Sequence, residues 1–214
     1  MFLSSVTRVF GAAPALVRAD LRVDRGELLL IRGPNGAGKS TLLRVIATAL
    51  SPTYGSGSVF GFDLVRERTE IRRRTERLGH RTRLYEDLSA SENLRFACSM
   101  YGIDPDGVPG ALERVGLAAV AGDRVRTYSQ GMRQRLALAR ACLRRADLLL
   151  LDEPYAGLDA EAKTLVDTVI AEAVGDGSTV ILATHDPTKG AAATRMVRME
   201  GGRVFASAAE GASS

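Results

Sequence analysis

Residues 33 to 41 read "GPNGAGKST": three glycines, a proline, a lysine and two hydroxyl residues within nine positions. Gly33, Gly38, Lys39 and Ser40 satisfy G-x-x-x-x-G-K-[ST], a loop whose backbone N–H groups can wrap phosphate oxygens with no side chains in the way. Pro34, Asn35, Gly36 and Ala37 fill the loop, Thr41 follows it, and the ligand this spacing implies is a nucleotide. Before the loop, "ELLLI" (Glu27 to Ile31) is a short apolar run of the buried-strand type. After it, Leu42, Leu43, Ile46 and Leu50 recur at helical spacing. The expected order is strand, loop, helix, so the helix begins at the loop and its dipole and first-turn amides face the phosphates. A plain glycine-rich turn is the competing reading, and the strand and helix on either side count against it.

The chain has 214 residues, 45% of them hydrophobic and 25% charged, enough for one sizeable core with room for an inserted subdomain. No apolar stretch approaches the roughly 18 residues needed to span a bilayer, so a membrane role would have to come through a partner. The first twenty residues faintly resemble a transit peptide, with no acid before Asp20. "ALVRADLRV" (Ala15 to Val23) instead reads as an edge strand feeding the strand before the phosphate loop, which cleavage would disrupt. Cys98 and Cys142 are far apart and belong to no C-x-x-C pair, which favours reduced thiols in a reducing, cytoplasmic compartment. The net charge of +4 comes from arginine, since lysine occurs only at positions 39, 163 and 189. Eight arginines fall between Arg66 and Arg83. A solvated helix face is the default reading of that run, and an anionic lipid surface or an acidic partner is the alternative. No aromatic residues interleave it as nucleic-acid recognition would need, so no nucleic-acid partner is expected.

Strand-like runs at 27–31, 147–151 and 178–183 alternate with helical patterns at 39–50, 131–145 and 160–174, the signature of a parallel sheet covered by helices. Ligands then bind beyond the carboxyl ends of the strands. From 84 to 127 the pattern becomes short helical pieces, read as an inserted helical subdomain. The last stretch, 206–214, has too little apolar mass to pack. "LLLLDEP" (Leu148 to Pro154) places Asp152 and Glu153 straight after a buried strand. Mg²⁺ on a nucleoside triphosphate needs oxygen ligands, which Ser40 and Asp152 can supply, and Glu153 is placed to orient or deprotonate the attacking water. A simple turn is the bland reading of this acid pair.

Taken together, these residues resemble the ATP-binding subunit of ABC transporters. "YSQGMRQRLALARA" is similar to that family's signature motif, with Ser129, Gln130 and Gly131 on its Ser-Gly-Gly core and Gln130 replacing the first glycine. "AGLD", ending at Asp159, resembles the D-loop; "ATHD" places His185 at the switch histidine; and Phe10 matches the aromatic that stacks on adenine. The resemblance spans about residues 1 to 205. It implies an α/β fold: a P-loop NTPase core with a mainly parallel sheet, an N-terminal antiparallel β portion and an inserted helical subdomain. It also implies ATP and Mg²⁺ as cofactors, an ATP-dependent homodimer, a separate integral membrane permease, and a peripheral place at the cytoplasmic face of the membrane. In such a dimer each signature helix caps the nucleotide held by the other subunit's loop. Lys39, Glu153 and His185 become the catalytic set, His185 contacting the γ-phosphate.

The sequence departs from the family at one position. Where the family places a glutamine that touches Mg²⁺ and the attacking water, this chain has Arg81, and its only glutamines are Gln130 and Gln134. Arg81 substitutes, or His80 does, or coupling to the permease is weaker. Two features narrow the substrate: the chain stops soon after its last sheet strands, and "LGH…LYEDLSASENLRF" resembles the ATPase subunit of the haem exporter used in cytochrome c maturation. A drug, lipid or polysaccharide exporter is the alternative within transport. A non-transport switch that binds nucleotide without turnover would be expected to lose Glu153, and a small-molecule kinase gives no reason for the signature serine.

Overall fold

A computed structural model describes residues 1–79 and 82–206. The chain divides into two compact units, Met1–Arg72 together with the segment from Thr179 onward, and Arg73–Ser178.

The first unit opens with two long antiparallel strands, β1 (Phe2–Phe10) and β2 (Ala13–Arg22). With β4 (Tyr54–Val59) and β5 (Phe62–Asp63) they form an antiparallel sheet in the order β2-β1-β4-β5, so β2 is an edge strand. The unit's other strands are β3 (Leu28–Arg32), β8 (Thr179–Thr184), β9 (Arg195–Glu200) and β10 (Arg203–Ala206). β3 pairs in parallel with both β8 and β9, and β10 closes an antiparallel hairpin on β9. Residues 28–31 and all of β8 are buried, which is why both are continuous apolar runs rather than alternating ones. Helix α1 (Lys39–Ile46) follows β3. It ends before the apolar spacing does, because Thr48 takes a left-handed backbone (φ 54°) and the Arg72 guanidinium grips its Oγ1 and its carbonyl at 2.9 and 2.8 Å.

The solvated helix face read from the arginine run is present in part, with Arg72, Arg73 and Arg74 exposed, while Arg77 is largely buried. A short α2 (Arg68–Arg74) gives way to the strand β6 (Thr75–Leu78), which is parallel to β7 (Leu148–Asp152) in the second unit. That unit also holds α3 (Ala90–Tyr101), α4 (Val108–Arg114), α5 (Gln130–Arg144) and α6 (Ala160–Gly175). Leu94, Cys98, Leu112, Val125, Tyr128 and Leu136 form a buried cluster joining α3, α4 and α5. Helix α3 starts with a capping box, in which Ser89 Oγ accepts from Glu92 N and Glu92 Oε2 accepts from Ser89 N. Cys98 and Cys142 are free thiols, and burial pushes both thiols up from their ordinary value. No helix among the described residues is long and apolar enough to cross a membrane. The fold is α/β with a mainly parallel sheet and a separate antiparallel one.

Candidate functional site

In the first unit the phosphate loop leaves β3 at Arg32 and passes into α1 at Lys39. Two of its glycines are dictated by contact with backbone. A Cβ on Gly33 would lie 2.2 Å from the Met199 carbonyl oxygen, and one on Gly38 would lie 2.5 Å from that of Ala15. Gly38 also has φ 102°, which L side chains rarely adopt. The loop is braced from outside, where Gly202 N, in the turn between β9 and β10, donates to Ala37 O at 3.0 Å. Within the loop, Ala37 N donates to Pro34 O at 3.2 Å, while Pro34, Asn35 and Gly36 form the exposed crown. Lys39 is buried, and its Nζ donates to the carbonyls of Gly33 (2.6 Å) and Pro34 (3.1 Å). A phosphate oxygen is a stronger acceptor for an ammonium than either neutral carbonyl. Ser40 and Thr41 occupy the first turn of α1, where amides have no acceptor inside their own helix.

The β3–β8 register brings a second element to this loop. Arg32 is paired with Thr184, so the phosphate loop and His185 leave neighbouring parallel strands at the same level. His185 is exposed. Arg32 Nη2 fixes the turn after it, donating to the carbonyls of Pro187 and Lys189 at 2.8 and 3.0 Å. Asp186 Oδ1 accepts from Thr188 N and Oγ1, tightening the same turn. Phe10 is at the far end of β1, 44% exposed, with the Arg8 guanidinium 4.7 Å from its ring centre.

In the second unit, β7 is buried over its whole length and delivers Asp152 at its carboxyl end, 7% exposed. Arg77 Nη1 lies 4.0 Å from Asp152 Oδ2. The end of the partner strand closes over the same carboxylate, since a Cβ on Gly79 would meet Arg77 Nη1 at 3.1 Å and Asp152 Cβ at 3.4 Å. Glu153 has a left-handed backbone, φ 51°. Such a conformation costs a non-glycine residue on the order of 1–3 kcal/mol and concentrates at functional positions. It turns the chain sharply at the strand end, with Ala156 N donating to Glu153 O at 3.2 Å.

Ser129 is the N-cap of α5, its Oγ accepting from Met132 N at 3.2 Å. The hydroxyl still has its proton to donate. Gln130 packs toward the segment before α6, where a Cβ on Gly157 would lie 3.7 Å from Gln130 Nε2. Gly131 follows in the first turn of α5. Asp159 caps α6 through Ala162 N at 2.8 Å. Arg135 Nη2, from α5, reaches Asp159 Oδ2 at 3.2 Å and Glu161 Oε2 at 3.1 Å. The Ala162 amide first, and Arg135 after it, hold the Asp159 carboxyl below the usual carboxylate range.

The structure thus gathers Lys39, Ser40, the loop glycines and His185 in one unit, and Asp152, Glu153, Ser129, Gln130 and Asp159 in the other. Arg81 and its alternative His80 lie outside the described residues. Sequence reasoning missed Arg32, Gly79 and Arg135. Arg32 and Arg135 act through partners 24 or more positions away, which leave no local pattern. Gly79 does carry a signal, a glycine at a strand end just before the expected glutamine position.

A sequence model of the family described as "ABC transporter" matches residues 16–156. Over 173 residues the chain is 44% identical to the cytochrome c biogenesis ATP-binding export protein CcmA of Xanthomonas oryzae pv. oryzae, covering 80% of each chain. It is 39% identical over 180 residues to the daunorubicin resistance ATP-binding protein DrrA3 of Streptomyces coeruleorubidus, covering 82% of this chain and 57% of that one. Among solved structures, an ATP-binding cassette captured as a dimer in a post-hydrolysis state with ADP and Pi superposes with a TM-score of 0.87. The two share 26% identity, and the match covers 95% of both chains.

Proposed function

The chain belongs to the ABC transporter family as an ATP-binding, ATP-hydrolysing subunit, and on that premise we propose that it drives haem export for cytochrome c maturation through a separate membrane permease. One observation carries the ATPase part: β3 and β8 are in register at Arg32 and Thr184, so the phosphate loop and His185 leave the sheet side by side. A donor beside a phosphate cradle can stabilise the charge that develops on the transferred group. The haem assignment rests on the similarity to CcmA, which is 44% identical, against 39% for the daunorubicin resistance protein.

Each residue then has a role. The loop from Gly33 to Ser40 and the Lys39 ammonium bind the β- and γ-phosphates, with Thr41 in the same helix turn. Phe10 stacks on the base. Glu153 orients the attacking water and accepts its proton, while His185 donates to the γ-phosphate. Ser40 and Asp152 are hard oxygen donors of the kind Mg²⁺ takes, and Asp152 is a carboxylate at a buried strand end rather than a solvated one. When bound, Mg²⁺ neutralises charge on the phosphates. Ser129, Gln130 and Gly131 present α5 to the nucleotide of a second copy, and Asp159 supports that surface through Arg135. Arg81, or His80 in its stead, takes the place of the glutamine that meets the attacking water, or coupling to the permease is weaker. The subunit works at the cytoplasmic face of the membrane, attached by its permease.

The test is deletion of the gene. The haem reading expects apocytochromes c to be synthesised but to lack covalent haem on a haem-stained gel. Normal c-type cytochromes would overturn it and favour the drug, lipid or polysaccharide exporter reading, for which the similarity to the daunorubicin resistance protein is the supporting observation.

A further inference from the structure

The assignment of Phe10 to the adenine leaves open what holds its ring in place. A lone aromatic at the end of a hairpin would rotate freely, and stacking would then have to pay for ordering it. Phe10 is not alone. Arg8, two residues earlier in β1, lays its guanidinium against the ring at 4.7 Å, within cation–π range. One ring face is taken, yet Phe10 remains 44% exposed.

Arg8 is itself pinned. Its Nη1 donates to Ser51 O at 3.1 Å, and its Nε is buried with no hydrogen-bond partner. A buried guanidinium nitrogen left unsatisfied is costly, so the position is held by the Nη1 bond together with its surroundings. The surroundings form a short zipper between the end of β1 and the segment after α1. Thr53 N donates to Thr7 O at 2.7 Å, and Val9 N donates to Thr53 Oγ1 at 3.1 Å. Helix α1 begins at the phosphate-binding Lys39, and Ser51 lies five residues beyond its last residue, Ile46. The zipper therefore ties the aromatic to the segment that continues from the phosphate helix.

We infer that Arg8 is the positioning residue of the base platform: it fixes the Phe10 ring at a set distance from the phosphate loop and leaves one face open to a purine. This rests on the ATP-site reading above. A cation on one face also draws electron density from the other, which lowers the repulsion an electron-rich purine meets on stacking.

The test measures binding of two probes by calorimetry in the presence of Mg²⁺: the non-hydrolysable ATP analogue adenylyl imidodiphosphate, and inorganic tripolyphosphate, which has no base. Arg8→Ala should weaken the nucleotide about threefold to tenfold, the range of a partly desolvated cation–π contact, and leave tripolyphosphate within about twofold. Phe10→Ala should weaken the nucleotide more, by about tenfold or beyond, as loss of one base–aromatic stack does. Adding Arg8→Ala to Phe10→Ala should change little further, because Arg8 acts through the ring. Arg8→Lys, which keeps a cation at the ring, should recover part of the loss. Equal weakening of both probes by Arg8→Ala, no weakening of either, or multiplying effects in the double variant would each overturn the inference. If the unmodified protein takes up tripolyphosphate but shows no added affinity for the nucleotide, the reading of Phe10 as the base platform fails, and the inference with it.

Discussion

On the proposed reading, the two units prepare for phosphate in different ways. In the first, the site is made by backbone: Gly33 and Gly38 exist because carbonyl oxygens of Met199 and Ala15 occupy the space a Cβ would need. In the second, the site is made by side chains: Ser129 and Asp159 cap helices, and Arg135 ties one cap to the other helix. A steric demand admits one residue, whereas a hydrogen-bond network admits several and distributes its strength. The phosphate loop should therefore be brittle to single substitutions and the helix-capping network graded.

The largest effect should come from Gly38→Ala. It combines overpacking of about 1–3 kcal/mol with left-handed strain of about 1–2 kcal/mol, and nucleotide binding should disappear in calorimetry. Near-normal binding by this variant would break the contrast at its strongest point. Next is Glu76→Ala. Glu76 is 3% exposed and pairs with Arg140 at 3.0 Å and Arg144 at 2.5 Å. Breaking such a buried set costs about 3 kcal/mol or more because two charges are left uncompensated, and urea unfolding should show it. Arg140 also donates to Thr82 O at 3.1 Å, so the loss should extend to the loop beyond β6.

The phosphate loop was readable because its glycines answer a steric requirement, which imposes a local spacing. β7 and β8 were readable as unbroken apolar runs. β6 was not, because "TERL" carries a buried glutamate whose arginine partners are 64 and 68 residues away. The end of α1 is hidden for a similar reason: the apolar spacing continues to Leu50, but Arg72, 24 positions on, holds Thr48 in a left-handed turn. The eight-arginine run looked like one solvated face, yet Arg77 is 88% buried as a side chain, beside Asp152. What escaped the sequence was pairing across long separations.

Smaller effects sharpen the contrast. Ser129→Ala removes an N-cap and should lower stability by about 1 kcal/mol, with monomer nucleotide binding unchanged and steady-state turnover reduced. Loss of monomer binding would mean that the serine serves its own subunit's nucleotide. The smallest effect concerns acid. The Ser89 amide and hydroxyl hold the Glu92 carboxyl below its ordinary value. A carboxyl lowered by folding stabilises above its unfolded pKa, and that contribution is lost as pH falls through the folded pKa. Glu92→Gln should therefore be slightly less stable than the unmodified protein at neutral pH, with the difference vanishing as acid protonates Glu92, so that the acid limb of its stability-versus-pH curve is slightly shallower. An unaltered acid limb would contradict the capping-box assignment.

On the proposed mechanism this chain hydrolyses ATP with Glu153 as the group that prepares the water. The most direct test compares steady-state phosphate release with equilibrium ATP binding for the unmodified protein and for Glu153→Gln. Turnover should fall by at least about 10²-fold, the scale of lost general-base catalysis, while ATP binding stays within about twofold and Mg-ATP converts the variant into a stable dimer on sizing chromatography. A Glu153→Gln protein that releases phosphate at the unmodified rate, or that stays monomeric in saturating Mg-ATP, would overturn this mechanism.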